Sequence, residues 1–116
     1  MRLPNKEKAY IPPSKLTGYL LSETHAVGKS KAKFFRPFGF DETTVEQLEQ
    51  GLLAIAQTNE VRESITLPHG TKYVIGGLLK TPKGTVVRIR TIWILEAEDE
   101  NPRPITAYPI KRAKEW

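Results

Sequence analysis

Near Val61 the hydrophobic period of this sequence changes. Upstream, apolar residues recur at helical spacing; downstream, they alternate with polar ones. The clearest upstream case is TTVEQLEQGLLAIAQ, where Val45, Leu48, Leu52, Leu53, Ile55 and Ala56 form one stripe and Glu46 and Glu49 lie on the outer face. Asp41 or Thr43 is expected to cap this helix, and Gly51 to mark close packing on a neighbour. Downstream, VRESITL, TKYVIGGLLK, TVVRIRTIWILE and ITAYPI read as strands, with PHG and TPKG as turns. Helices first and strands afterwards predict an α+β domain. About three N-terminal helices should pack on one face of a four-stranded antiparallel meander.

The other two helices are shorter. Ser14 is placed to cap KLTGYLL, whose Leu16, Tyr19 and Leu20 share a face. A second helix is expected from Lys29 to Phe35, with Ala32 and Phe35 inward, the lysines outward, and Pro37 and Gly39 ending it. The whole chain, 1–116, reads as one domain: an extended leading segment 1–14, a helical part 15–58 and a sheet part 61–110. A chain of this length buries roughly two-thirds of its unfolded surface, enough for a core without staples. Along the longest strand, Val87, Ile89, Thr91, Trp93 and Leu95 point to the helices. Arg88, Arg90, Ile92 and Ile94 point to the more open face, beside Thr106 and Tyr108 if the fourth strand pairs alongside.

Charge is segregated. Residues 1–40 carry eight Lys/Arg against two acids, and residues 41–60 carry five acids and no base. Residues 61–96 hold six bases and two acids, and 97–116 balance at four each, giving the net +5. One basic surface and a separate acidic helix are expected, and a basic surface favours nucleic acid. The chain has no cysteine, which excludes disulfides, thiolate metal sites and thiol nucleophiles. No apolar run approaches the roughly 18 residues of a membrane span, and MRLPNKEKAYIPPSK has no apolar core of a signal peptide. The expectation is a cytoplasmic protein with no membrane association.

The densest segment is THAVGKSKAKFFRPFGF, residues 24–40, which holds one of two histidines and all four phenylalanines. Together with KLTGYLLSE before it, TKYVIGGLLKTPKGTVVRIRTIWIL and PRPITAYP, it resembles a small uncharacterised bacterial domain family. Members occur alone and at the C-termini of polymorphic toxins. The family pattern has a K-L-x-x-Y-x-L helix, an H-P-x-G-x-x-K-A-x-F-F segment and a final P-R-x-x-T-x-Y; Ala26 stands here where the pattern has proline. The helices-then-sheet order also resembles, at the level of fold, the barnase–EndoU–colicin–RelE superfamily of metal-independent ribonucleases. That resemblance implies RNA as substrate, and a small acidic antitoxin or immunity protein as partner.

A metal-independent ribonuclease needs a group to take the 2′-hydroxyl proton, one to protonate the leaving 5′-oxygen, and cations for the charge on phosphorus. Histidine suits proton transfer near neutrality. His25 stands ahead of Lys29, Lys31 and Lys33, which read either as phosphate-holding groups or as a solvated helix face. His25 itself reads either as catalytic or as a residue that organises its loop. Arg88 and Arg90, like charges on one strand face, ask for an anionic partner, either a bound ligand or the acidic loop 96–100 or Glu63 of the chain itself. Thr91 and Thr106 match the family's two recurrent threonines, and Thr106 with Tyr108 is placed to contact a phosphate or a 2′-hydroxyl. His69 reads as a turn residue. Two histidines with no metal-ligand spacing argue for neither metal nor cofactor. Two functions follow: a toxin-type endoribonuclease, with His25, Thr106 and Tyr108 catalytic, or a non-catalytic module that binds protein or nucleic acid.

Overall fold

The computed structural model describes residues 1–110. A 3-10 turn at Lys6–Lys8 and the buried Leu3 and Ile11 tie the leading segment to the core. The first helix, α1, begins at Pro13, with Pro12 as its cap, not Ser14. Proline suits the first helical position, where its missing N–H would be unpaired in any case. After Pro13–Lys15, α1 widens into a π-helical turn over Leu16–Leu20, closed by Leu21 N–H to Leu16 O at 2.9 Å. The widening breaks the simple face expected for this helix. Leu16, Leu20 and Leu21 are buried, whereas Tyr19 is half-buried and turned to the rim of the sheet.

Helix α2 runs Gly28–Phe35 and buries Ala32 and Phe35 as expected. A 3-10 turn, Arg36–Phe38, carries it to Gly39, whose φ of 99° is a conformation that L side chains rarely adopt. Helix α3, Val45–Thr58, buries Leu48, Leu52, Ile55 and Ala56. Its cap residue is Thr44. Asp41 and Thr43, expected at that position, instead tie the preceding turn, where Asp41 Oδ1 accepts from the Thr43 N–H at 2.8 Å. Gly51 does mark a close approach, since a Cβ there would collide with Leu79 Cδ1.

Four strands, β1 Glu63–Leu67, β2 Gly70–Lys80, β3 Val86–Glu96 and β4 Arg103–Pro109, form an antiparallel sheet in the order β1-β2-β3-β4. The α+β class and the meander are as the period change predicts. Ile75, Leu79, Ile89 and Trp93 face the helices and are buried with Phe35, Phe40, Leu48 and Leu52. In register, Arg90 stands opposite Tyr108 and Ile92 opposite Thr106, so β4 does pair alongside β3. Directly opposed residues share a face, which sets Thr106 and Tyr108 on the side of Arg88 and Arg90. An irregularity between Ile92 and Trp93 shifts the register nearer the start of β4.

Thr91, 1% exposed, has a structural task. Its hydroxyl donates to Ile75 O at 2.8 Å and accepts from Trp93 Nε1 at 2.8 Å. Thr91→Val keeps the shape but leaves a buried indole N–H and a carbonyl without their partner. It is expected to cost about 1–3 kcal/mol in urea unfolding. A variant as stable as the parent would show that this relay contributes nothing net.

Candidate functional site

The site is built where α1 and α2 meet β4. Tyr19, on the π turn, sends its hydroxyl to Thr106 Oγ1 at 3.0 Å, joining positions 87 apart in sequence. Lys15, one turn earlier, stands 4.8 Å from the Tyr19 ring centroid and donates to Ile105 O at 3.1 Å. The His25 ring meets Tyr19 edge to face, with centroids 5.1 Å apart and planes at 87°. Lys31 Nζ lies 5.6 Å from the Tyr108 ring centroid, and Tyr108 is the register partner of Arg90. The rim therefore gathers His25, Lys31, Arg90, Thr106 and Tyr108 from three separate stretches of chain.

Local sequence explains how His25 is held. Ser22 Oγ accepts from the His25 N–H at 3.0 Å, and His25 Nδ1 accepts from the N–H groups of Val27 (3.0 Å) and Gly28 (2.9 Å). The imidazole thus satisfies backbone donors at the start of α2 that no helical carbonyl can reach. The glycine is needed for a different reason. A Cβ on Gly28 would strike the backbone oxygen of Tyr19, so only glycine lets α2 lie this close to α1.

The three lysines do not share one face of α2. A helix advances about 100° per residue, so Lys29 and Lys33 share a face and Lys31 points nearly opposite. Lys31 reaches Tyr108, while Lys29 and Lys33 line a half-open cleft of about 380 Å³ with Glu23, Ala32, Arg36 and Pro37. In that cleft Arg36 is engaged: its Nε donates to Leu21 O at 2.8 Å and its terminal nitrogens grip Glu42 at 3.2 and 2.6 Å. The hydrogen bond to Glu42 raises Arg36 above its ordinary pKa, and the same bond holds the Glu42 carboxyl below its own. Asp41 is likewise lowered, chiefly by the Thr43 hydroxyl.

Arg88 lies two residues before Arg90 on the same face, and neither arginine is without partners. In the acidic loop 96–100, Glu96 pairs with Arg103 and Glu100 with Lys8. His69 is an exposed turn residue, remote in register from β4's Thr106 and Tyr108, and its carbonyl accepts from Ala97 N–H at 2.8 Å. Among the described residues, no group of His, Asp or Glu could hold a metal ion, and no helix is long and apolar enough to cross a membrane.

The profile of a domain family of unknown function, DUF6883, matches residues 2–111, nearly the whole chain. The chain belongs to that family. Among curated proteins, none matches the sequence. In solved structures the DUF6883 domain is similar to a chain of a contact-dependent growth inhibition toxin–immunity protein complex from Klebsiella pneumoniae 342. The TM-score is 0.71 at 14% identity, covering 95% of this chain and 100% of that one. Identity this low shows a shared fold, and fold alone does not carry function.

Two residues of the DUF6883 rim escaped reasoning from periodicity, Lys15 and Tyr19. By period alone Tyr19 is one more apolar position beside Leu16 and Leu20, because the period presumes a regular α-helix. The signal that points to both is the spacing K-L-x-x-Y, which repeats a cation and a phenol at i and i+4. The π turn then aims them at β4.

Proposed function

We propose that this domain is a metal-independent endoribonuclease of the bacterial toxin type. The observation that carries the reading is the contact chain at the β4 rim: His25 against Tyr19, Tyr19 bonded to Thr106, and Lys31 over Tyr108 opposite Arg90. In the reaction, the 2′-oxygen of a ribose attacks the adjacent phosphorus and loses its proton to a base or to water. The bond from phosphorus to the 5′-oxygen breaks, and that oxygen takes up a proton, leaving a 2′,3′-cyclic phosphate and a 5′-hydroxyl. His25, Thr106 and Tyr108 are the groups assigned to the reacting phosphate. Lys31 and Arg90 offset the charge that builds on it. Lys29, Lys33 and Arg88 stand further out and steer the polyanion.

The fold shared with a chain of a toxin–immunity complex supports the toxin reading, and it suggests a small acidic immunity protein as partner. The test is direct. Purified protein should cleave RNA in EDTA and leave cyclic or 3′-phosphate ends. Intact RNA after prolonged incubation at high protein concentration, across several RNA types, would overturn the assignment.

A second reading, a non-catalytic module that binds protein or nucleic acid, is favoured by one observation. Lys29 and Lys33 line a cleft on the helix face away from Lys31, with Ala32 and Pro37 as an apolar floor. Such a module would lose affinity on Lys29→Ala or Lys33→Ala and show no cleavage in any variant.

A further inference from the structure

We infer that His25 meets its substrate as a hydrogen-bond donor, through Nε2–H to a phosphate oxygen, and not as the base that takes the 2′-hydroxyl proton. The inference rests on the ribonuclease reading and deepens it by fixing the role of one residue. Its ground is the pair of backbone bonds at 3.0 and 2.9 Å from Val27 and Gly28 to Nδ1. A nitrogen that accepts two N–H groups carries its lone pair there, so the ring proton sits on Nε2. A base acting through Nε2 needs the opposite tautomer. That tautomer would set an Nδ1–H against both backbone donors and leave each without an acceptor.

Rotation of the ring does not offer an escape. A half-turn about the Cβ–Cγ bond would set Cδ2–H against the N–H groups of Val27 and Gly28 and leave both without an acceptor. With Nδ1 turned to the start of α2 and the residue exposed, Nε2–H is the edge presented outward. An outward N–H, on a ring that packs against the Tyr19 bonded to Thr106, suits an anionic oxygen, the strongest class of acceptor.

Two substitutions separate the nitrogens. In His25→Asn, the amide oxygen takes the place of Nδ1 and continues to accept from the backbone, but nothing stands at Nε2. In His25→Gln, the longer amide reaches the place of Nε2 and leaves Nδ1 vacant. A 2′-O-methyl RNA oligonucleotide, which cannot be cleaved, reports binding by fluorescence anisotropy. His25→Asn should melt close to the parent yet bind about tenfold more weakly, the scale of one lost charge-assisted bond. His25→Gln should melt lower while binding within about twofold of the parent, since one donor replaces another. Long-range ¹H–¹⁵N NMR of the parent should show a protonated Nε2 and a lone-pair Nδ1.

Parent-like oligonucleotide binding in both variants, with cleavage lost in both, would make His25 the base and overturn the inference while the ribonuclease survives. Parent-like binding and cleavage in both would reduce His25 to a cap and overturn it equally. If the parent cleaves no RNA, the ribonuclease reading fails by itself. The contrast between Asn and Gln in binding then still decides whether Nε2–H holds a phosphate.

Discussion

Replacing Tyr108 with phenylalanine is expected to slow RNA cleavage by about 10²–10³-fold and to leave the melting temperature near that of the parent. The ring stays beneath Lys31, so the cation–ring contact at 5.6 Å survives. Only the hydroxyl is lost, and among the described residues that hydroxyl has no protein partner. On the ribonuclease reading, this hydroxyl, opposite Arg90 in register, would bond the phosphate as its charge grows. Thr106 is a less clean probe, because its hydroxyl also holds Tyr19. Rates are to be compared on one RNA in EDTA under single-turnover conditions. An undiminished rate in Tyr108→Phe would remove this side chain from the reacting phosphate.

Gly28→Ala should be the most damaging small substitution in the helical layer. The added carbon would fall on the carbonyl of Tyr19, and backbone, unlike the end of a flexible side chain, cannot swing aside. Helix α2 must then move off α1, at a cost of about 1–3 kcal/mol or more for overpacking of this kind. Domains of this size are stable by only about 5–15 kcal/mol in total, so the loss is large. Cleavage should fall with it, since Lys31 rides on α2 and Tyr19 on α1. Gly18→Ala is the control. Its Cβ would meet only Ser14 Cβ at 3.8 Å, an ordinary contact, so urea unfolding should be little changed. Equal stability of the two variants would contradict the close approach of α1 and α2.

The fold was legible because it rests on periods. Alternation in TVVRIRTIWILE separates Ile89 and Trp93 from Arg88 and Arg90 with no knowledge of the other strands, and short turns leave little choice but a meander. The helix starts were less so. Asp41, Thr43 and Thr44 are all good caps, and packing of Phe40 against Phe35 decides where the chain can turn. The candidate site was half legible. His25, Thr106 and Tyr108 stand out by residue type, but their meeting depends on Tyr19, whose direction is set by a π turn that no period announces. The lysines show the opposite error. Adjacency in sequence suggested one cationic surface, and helical geometry divides it in two.

The bond between Tyr19 and Thr106 also has a consequence in time. It closes a loop of 87 positions, and its second partner lies on β4. Chains are made N-terminus first, at about 5–20 residues per second, and can begin to fold as they emerge. Helices and the first three strands can gather while β4 is still inside the ribosome, yet the rim has neither Thr106 nor Tyr108. A nascent chain of this protein therefore has no rim until β4 has followed the first three strands out of the ribosome.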